Sequence, residues 1–127
     1  MEKRSISTKN APEAIGPYSQ GIISGDIIFL SGQIGVDPET GEMVEGGVLN
    51  QSMQIFSNIN NVLKEAGCSF DNVIKATVFL KSMDDFKKVN EIYSKFFSLP
   101  YPARSAFEVA RLPLNADIEI EVIARKA

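Results

Sequence analysis

The spacing of apolar residues along the chain predicts an alternation of short strands and two helices. β-Branched and other apolar residues cluster first in three short stretches, at residues 4–7, 21–24 and 27–31, with glycine-containing turns between them. A helix, a strand, a second helix and two more strands follow. The predicted order of elements is therefore β-β-β-α-β-α-β-β.

The first helix is predicted by apolar residues that recur at steps of three and four. Gly67 follows them and suits the left-handed residue that often ends a helix. Polar residues, among them Gln51 and Asn58, fill the other faces. The residues expected on the buried face are Leu49, Met53, Phe56, Ile59, Val62, Leu63 and Ala66.

The second half of the chain predicts a strand at 73–80, a helix from about Ser82, and closing strands at 105–110 and 117–124. Ser82 can cap the helix, and Pro100 prevents much continuation. The expected buried stripe of this helix is Phe86, Val89, Ile92, Tyr93 and Phe96. Alternation in the preceding strand places Ile74, Ala76, Val78 and Leu80 together on one face.

Two amphipathic helices can cover only one face of one sheet. Alternation in the last strand directs Ile118, Ile120, Val122 and Ala124 toward the helices and Glu119 and Glu121 to the opposite face. That opposite face also receives Phe79 and Phe107, whereas a solvated sheet face is normally polar. We therefore expect an α+β fold with a single mixed six-stranded sheet, two helices on one face, and a second subunit over part of the other face.

Composition limits the classes of function. The chain has 127 residues, 44% of them hydrophobic, and this suits one domain over residues 1–127. Its 13 basic and 16 acidic residues give a net charge of −3 without a basic block, so nucleic-acid binding is disfavoured. No apolar run predicts a membrane span or a secretory signal, and the single cysteine, Cys68, suits a reducing cytoplasm.

The chain contains no histidine. This excludes serine–histidine and cysteine–histidine catalysis and removes the commonest metal ligand. Any chemistry must use carboxylates, Arg, Lys, Tyr, hydroxyl and backbone groups. No metal site is expected.

Several residues are candidates for a binding site, each with a plainer structural interpretation. Arg104 begins an apolar strand and shares one face with Ala106, so it either binds an anion or is simply solvated. Glu119 either lines a pocket at the subunit boundary or pairs with a neighbouring charge. Gly32 ends an apolar strand, where it either forms a turn or lets a ligand approach backbone N–H groups. Tyr18 follows a Gly-Pro turn.

Five segments together resemble the Rid family, also called YjgF-like, and specifically its RidA branch. They are AIGPYSQ at 14–20, SGQI at 31–34, PARS at 102–105, EVARLP at 108–113 and IEIE at 118–121. The resemblance covers nearly the whole chain. It implies a chorismate-mutase-like fold, a homotrimer with three clefts between subunits, and 2-imino acid deaminase activity.

The resemblance also implies a substrate class and roles for individual residues. RidA-like proteins hydrolyse 2-aminoacrylate and 2-aminocrotonate, which pyridoxal-phosphate dehydratases release, to 2-keto acids and ammonia without a cofactor. Arg104 matches the arginine that binds the substrate carboxylate, and Glu119 matches the carboxylate that positions water. Tyr18 would line the cleft, and Gly32 and Ala106 would offer main-chain contacts.

Two positions depart from the common pattern of the family. Ala106 stands where many relatives have cysteine, and this would matter little if the position acts through its backbone. Gly35 stands where proline is frequent, so we expect a change in loop rigidity only.

The sequence is also compatible with other functions. A non-catalytic or regulatory protein could use the same cleft to bind a small carboxylate. Chorismate mutase chemistry would need a second cation, and alternation sends Arg111 to the strand face opposite Arg104.

Overall fold

The structure, a computed structural model, describes residues 2–126 as a mixed six-stranded sheet with two α-helices on one face. This confirms the predicted fold class and order of elements. The sheet order is β1-β2-β3-β6-β4-β5, and all neighbours are antiparallel except β4 and β5. The elements are β1 Lys3–Ile6, β2 Gly21–Ser24, β3 Ile27–Leu30, α1 Gly47–Glu65, β4 Val73–Leu80, α2 Phe86–Tyr93, β5 Ala103–Glu108 and β6 Ile118–Arg125.

The core lies between the helices and the helix-facing side of the sheet. Strand β6 alternates as predicted, with four buried apolar residues on this side and Glu119 and Glu121 on the other. Burying each of the isoleucine and valine side chains among them contributes about 1.5–3 kcal/mol to folding. The central buried residues are Ile55, Phe56, Ile59, Val62 and Leu63 of α1 and Ile118, Ile120, Val122 and Ala124 of β6.

The buried face of α1 differs from the prediction at its first turns. Leu49 and Met53 are 42% and 43% exposed, whereas Gln51 and Asn58 are buried. Both amides are buried because they are hydrogen-bonded. Asn58 Nδ2 donates to the carbonyl of Val36 at 2.9 Å, and Gln51 both donates to the Asp117 carboxylate and accepts from its backbone N–H.

The prediction for β4 was wrong at Ile74. A bulge between Val73 and Lys75 shifts the register against β6, so Val73 is buried and Ile74 is 47% exposed. Beyond the bulge, the predicted face returns, and Ala76, Val78 and Leu80 are buried.

Helix α2 begins four residues later than Ser82. Ser82 Oγ accepts from the backbone N–H of Asp84 and so caps a short 3₁₀ turn, Met83–Asp85, that leads into the helix. Beneath α2, the ring of Tyr93 packs against Phe97 and Phe56, with centroid distances of 4.5 and 6.1 Å. The end of α2 is therefore anchored in an aromatic cluster.

The sheet face opposite the helices is partly apolar, as expected from the sequence. Phe29 and Phe107 are 47% and 51% exposed, and the rings of Phe79 and Phe107 lie 6.4 Å apart on this face. Glu119 and Glu121 lie on the same face, directly opposite Phe79 and Thr77 of β4. We call this surface the open face.

The Tyr93 hydroxyl gives a test of the aromatic cluster. It is buried and has no hydrogen-bond partner within residues 2–126. Because an unsatisfied buried hydroxyl is destabilising, Tyr93→Phe should raise the free energy of unfolding by about 1 kcal/mol. Urea unfolding at matched protein concentration measures this change, and a clear loss of stability would contradict the packing described here.

Candidate active site

Glu119 and Gly32 form one contact of the candidate site. The loop after β3 is joined to β6 by two backbone hydrogen bonds between Gln33 and Ile120, at 2.9 and 3.0 Å. These bonds place Gly32 beside Glu119. A Cβ atom at Gly32 would overlap the Glu119 carboxylate, so glycine is needed for the carboxylate to occupy this position.

The setting of Glu119 makes its carboxylate a stronger base than an ordinary one. Burial raises the pKa of Glu119 above its usual 4.5, and the charge of Glu121 raises it further. Within residues 2–126, no side chain donates a hydrogen bond to this carboxylate. Glu119 is thus half-buried on the open face with its oxygens available for water.

Arg104 is held on the other side of the sheet, although its side chain is exposed. It pairs with Ala76 in the parallel register of β4 and β5, and this places it on the helix-facing side. Its Nη1 donates to Asn90 Oδ1 at 2.8 Å. The guanidinium carbon also lies 5.1 Å from the ring centroid of Phe86 and 4.7 Å from that of Tyr93, within cation–π range.

Helix α2 supplies all three contacts of Arg104. Phe86, Asn90 and Tyr93 are spaced at i, i+4 and i+7, and this spacing puts them on one side of the helix. Sequence reasoning placed both aromatic residues in the buried stripe but missed Asn90. A polar residue between two aromatic residues of that stripe was the available signal.

One chain does not bring Arg104 and Glu119 together. They lie on opposite faces of the sheet, and β4 separates β5 from β6. Arg104 is opposite Ala76 of β4, and Ala76 is opposite Val122 of β6. Arg104 is therefore offset from Glu119 by three residues, about 10 Å, along the strands and by two strand spacings, about 10 Å, across the sheet. The two side chains can therefore share a ligand only if different chains contribute them.

Ala106 lies on the outer strand of the sheet, two residues after Arg104. The backbone N–H of Val109 donates to the carbonyl of Leu80 at 2.9 Å and so faces β4. Backbone groups alternate in direction along a strand, so those of Ala106 point away from β4, toward the free edge. This geometry is compatible with main-chain contacts to a ligand at Ala106.

Tyr18 lies in a turn where its hydroxyl accepts from the backbone N–H of Ile15 at 3.3 Å. Gly16 has φ 122°, a left-handed value that a side chain would strain. The Tyr18 ring is 54% exposed and borders a groove of about 600 Å³ along the N-terminal segment. That groove contacts neither Arg104 nor Glu119.

A smaller pocket of about 410 Å³ adjoins Arg104 and is lined by Asn90, Tyr93, Ser94, Tyr101 and Pro102.

Gly35 has a structural role that the sequence did not reveal. A Cβ atom at Gly35 would lie 2.7 Å from the Cα atom of Gln51. Gly35 therefore lets the loop pack directly on α1, and the expectation that it affects loop rigidity alone was too narrow. The same helix residue, Gln51, binds Asp117 two residues before Glu119.

Residues 2–126 show neither a metal site nor a membrane span. No group of three or more His, Cys, Asp and Glu side chains there is arranged to hold a metal ion. Neither helix of this part of the chain combines the length and hydropathy of a membrane span.

The chain is similar to proteins of known name over nearly its whole length. A family model described as Endoribonuclease L-PSP matches residues 8–126. Proteins named 2-iminobutanoate/2-iminopropanoate deaminase are 49% identical in Capra hircus, over 98% of this chain and 90% of that protein, and 50% identical in Homo sapiens, over 96% and 89%. A crystal structure from Yersinia pestis, described as one of the conserved Rid protein family, has a TM-score of 0.96 and 45% identity and covers 98% of this chain and 100% of that one.

Glu121 provides a test of the electrostatics at Glu119. Because the charge of Glu121 raises the pKa of Glu119, Glu121→Gln should lower that pKa. The value should stay above 4.5, since burial is the larger cause. Carbon-13 NMR titration of the labelled carboxyl groups measures it, with Glu65→Gln at the exposed end of α1 as the control. An unchanged pKa in Glu121→Gln would contradict the proximity of the two charges.

Proposed function

The chain belongs to the Endoribonuclease L-PSP family, which is the Rid or YjgF-like family, and we propose that it works in clefts that two subunits form together. It is a 2-imino acid deaminase of the RidA branch, a hydrolase acting on C=N bonds. Several named deaminases about 50% identical over nearly the full chain support this activity. The observation that carries the site is Glu119, a half-buried carboxylate with a raised pKa that lies directly against Gly32.

The proposed reaction needs a base and an oriented substrate. Water adds to the electrophilic carbon of the 2-iminium acid, and Glu119 accepts the proton that the water loses. Glu119 returns this proton to the nitrogen, and the C–N bond then breaks while the hydroxyl group of the intermediate gives its proton to Glu119, so that a 2-keto acid and ammonia leave. The iminium carbon is already activated, so positioning of water and substrate supplies the catalysis and no cofactor is needed.

Arg104 is proposed to bind the substrate carboxylate. Its planar guanidinium matches a carboxylate with two parallel hydrogen bonds, and an ammonium group cannot do this. In the proposed cleft, the outward backbone groups of Ala106 add main-chain contacts beside Arg104. Gly32 offers backbone contacts beside Glu119, and Tyr18 lines the wall.

We propose that the protein is a homotrimer. Two observations support a neighbouring chain on the open face: its exposed Phe29 and Phe107, and the separation of Arg104 from Glu119 across the sheet. Each cleft would then take Arg104 and Ala106 from one chain and Glu119, Gly32 and Tyr18 from its neighbour. Three copies close the ring, giving three clefts.

The source of the substrates and the compartment of the reaction are also part of the proposal. The substrates 2-aminoacrylate and 2-aminocrotonate are short-lived, so they must come from enzymes that release enamines, such as pyridoxal-phosphate dehydratases acting on serine and threonine. The protein would limit metabolite damage in the same compartment. A cytoplasmic location is consistent with Cys68, a buried free thiol.

A non-catalytic carboxylate-binding or regulatory protein is the alternative. Arg104 would serve both functions, whereas the half-buried Glu119 carboxylate, whose pKa is raised, favours proton transfer and therefore hydrolysis. Ribonuclease chemistry is less compatible with this chain, whose net charge is −3 and which lacks histidine, the commonest general base.

The activity is tested by coupling the protein to a threonine dehydratase. We expect 2-oxobutanoate to appear faster, and semicarbazide to trap less imine, when the protein is added. Glu119→Gln should abolish this effect while still binding 2-oxobutanoate, because the amide keeps the shape and cannot accept the proton. Wild-type protein that binds 2-oxobutanoate without accelerating its formation would instead support the binding function.

Arg104→Lys tests the role of the guanidinium. It keeps the charge but loses the two coplanar donors, so kcat/KM should fall by about 30-fold to 1000-fold, or roughly 2–4 kcal/mol. Arg125→Lys is a matched control, since Arg125 is exposed and forms a surface ion pair with Asp26. Wild-type turnover in a folded Arg104→Lys protein would mean that Arg104 does not bind the substrate carboxylate.

The assembly is tested by sedimentation equilibrium at micromolar concentration. We expect a single species at three times the 13.9 kDa chain mass. A species of one chain mass would refute the shared cleft, because a single chain keeps Arg104 and Glu119 on opposite faces.

A further inference from the structure

Arg104 is held by a neutral side chain. We propose that Asn90 is a positioning residue that fixes the Arg104 guanidinium and leaves its positive charge uncompensated for the substrate carboxylate. The inference rests on the proposed role of Arg104 as the carboxylate anchor. It assigns to α2 a part in substrate binding.

The geometry restricts the guanidinium from three directions. Asn90 Oδ1 accepts from Nη1 at 2.8 Å, and the rings of Phe86 and Tyr93 lie 5.1 and 4.7 Å from the guanidinium carbon. An exposed arginine otherwise samples many rotamers, and ordering it on binding costs affinity. Contacts that exist before the substrate arrives reduce that cost.

The contacts also leave donors free. A guanidinium has five N–H groups in one plane, and Asn90 engages one of them. Cation–π contacts use the faces of the cation and none of its N–H groups. The open pocket of about 410 Å³ beside Arg104 gives a carboxylate access to the donors that remain.

The neutrality of Asn90 is the decisive feature. Within residues 2–126, the ion pair that forms joins Arg125 to Asp26, and no carboxylate lies within ion-pair distance of Arg104. A carboxylate at position 90 would hold the guanidinium equally well in shape. It would also neutralise the cation and compete with the substrate for its donors.

Asn90→Asp separates a purely structural role of Asn90 from the proposed electrostatic one, because it preserves the shape and the acceptor oxygen and adds a negative charge. A purely structural role predicts wild-type behaviour for this variant. Our proposal predicts that the dissociation constant of 2-oxobutanoate and the KM for 2-aminocrotonate both rise about tenfold or more. The kcat value should change less, since the opposite side of the cleft holds Glu119.

Asn90→Ala is the second variant. Alanine favours a helix, so this protein should fold, but it lacks the acceptor that fixes Arg104. We expect weaker 2-oxobutanoate binding here also, with KM affected more than kcat. Asn50→Asp, the same chemical change at an exposed position of α1, is the control and should bind as the wild type does.

Calorimetric titration with 2-oxobutanoate and steady-state kinetics decide the outcome. Unchanged affinity in folded Asn90→Asp and Asn90→Ala proteins would overturn the role of Asn90, as would wild-type protein that binds no 2-oxobutanoate. A different result would separate this proposal from the proposed function. If the wild type binds 2-oxobutanoate and both variants bind it more weakly, but none of these proteins hydrolyses imines, then the positioning role stands and the deaminase function fails.

Discussion

The two-sidedness of the sheet is the constraint on which the rest of the structure depends. Both helices pack against one side, so β3, β4 and β6 present buried apolar side chains there and a mixture of phenylalanine, polar and acidic side chains on the open face. A shift of one residue in any strand would exchange the two sets. This alternation puts Glu119 on the open face and Arg104 on the helix-facing side, and for this reason we propose that different chains contribute the two residues to one cleft.

Packing around Glu119 leaves little freedom. Gly32 makes room for the carboxylate, and Gly35 lets the same loop lie directly against α1 at Gln51. Gln51 in turn holds Asp117 by its side chain and its backbone. One buried amide of α1 thus contacts both segments that form the Gly32–Glu119 pair, and the helix supports the carboxylate without touching it.

The two charged residues of the proposed site have opposite environments. Glu119 is partly desolvated and placed near Glu121, and both effects favour its protonated form and make it a useful base. Arg104 is exposed, stacked on two rings and paired with a neutral amide, so its charge stays available. The reaction that we propose needs these two properties, a base and an anion anchor, and little else.

The sequence by itself determined the order of elements, the mixed sheet, the side of β6 that carries Glu119 and the family resemblance that names Arg104. These properties follow from local periodicity and from motifs in fixed order. Periodicity failed at Ile74, where a bulge shifts the strand, and at Gln51 and Asn58, which are polar yet buried because distant partners satisfy their hydrogen bonds. Only the tertiary structure paired Asn90 with Arg104 and placed Arg104 and Glu119 on opposite faces, because those relations depend on which strands become neighbours and on how α2 lies over them.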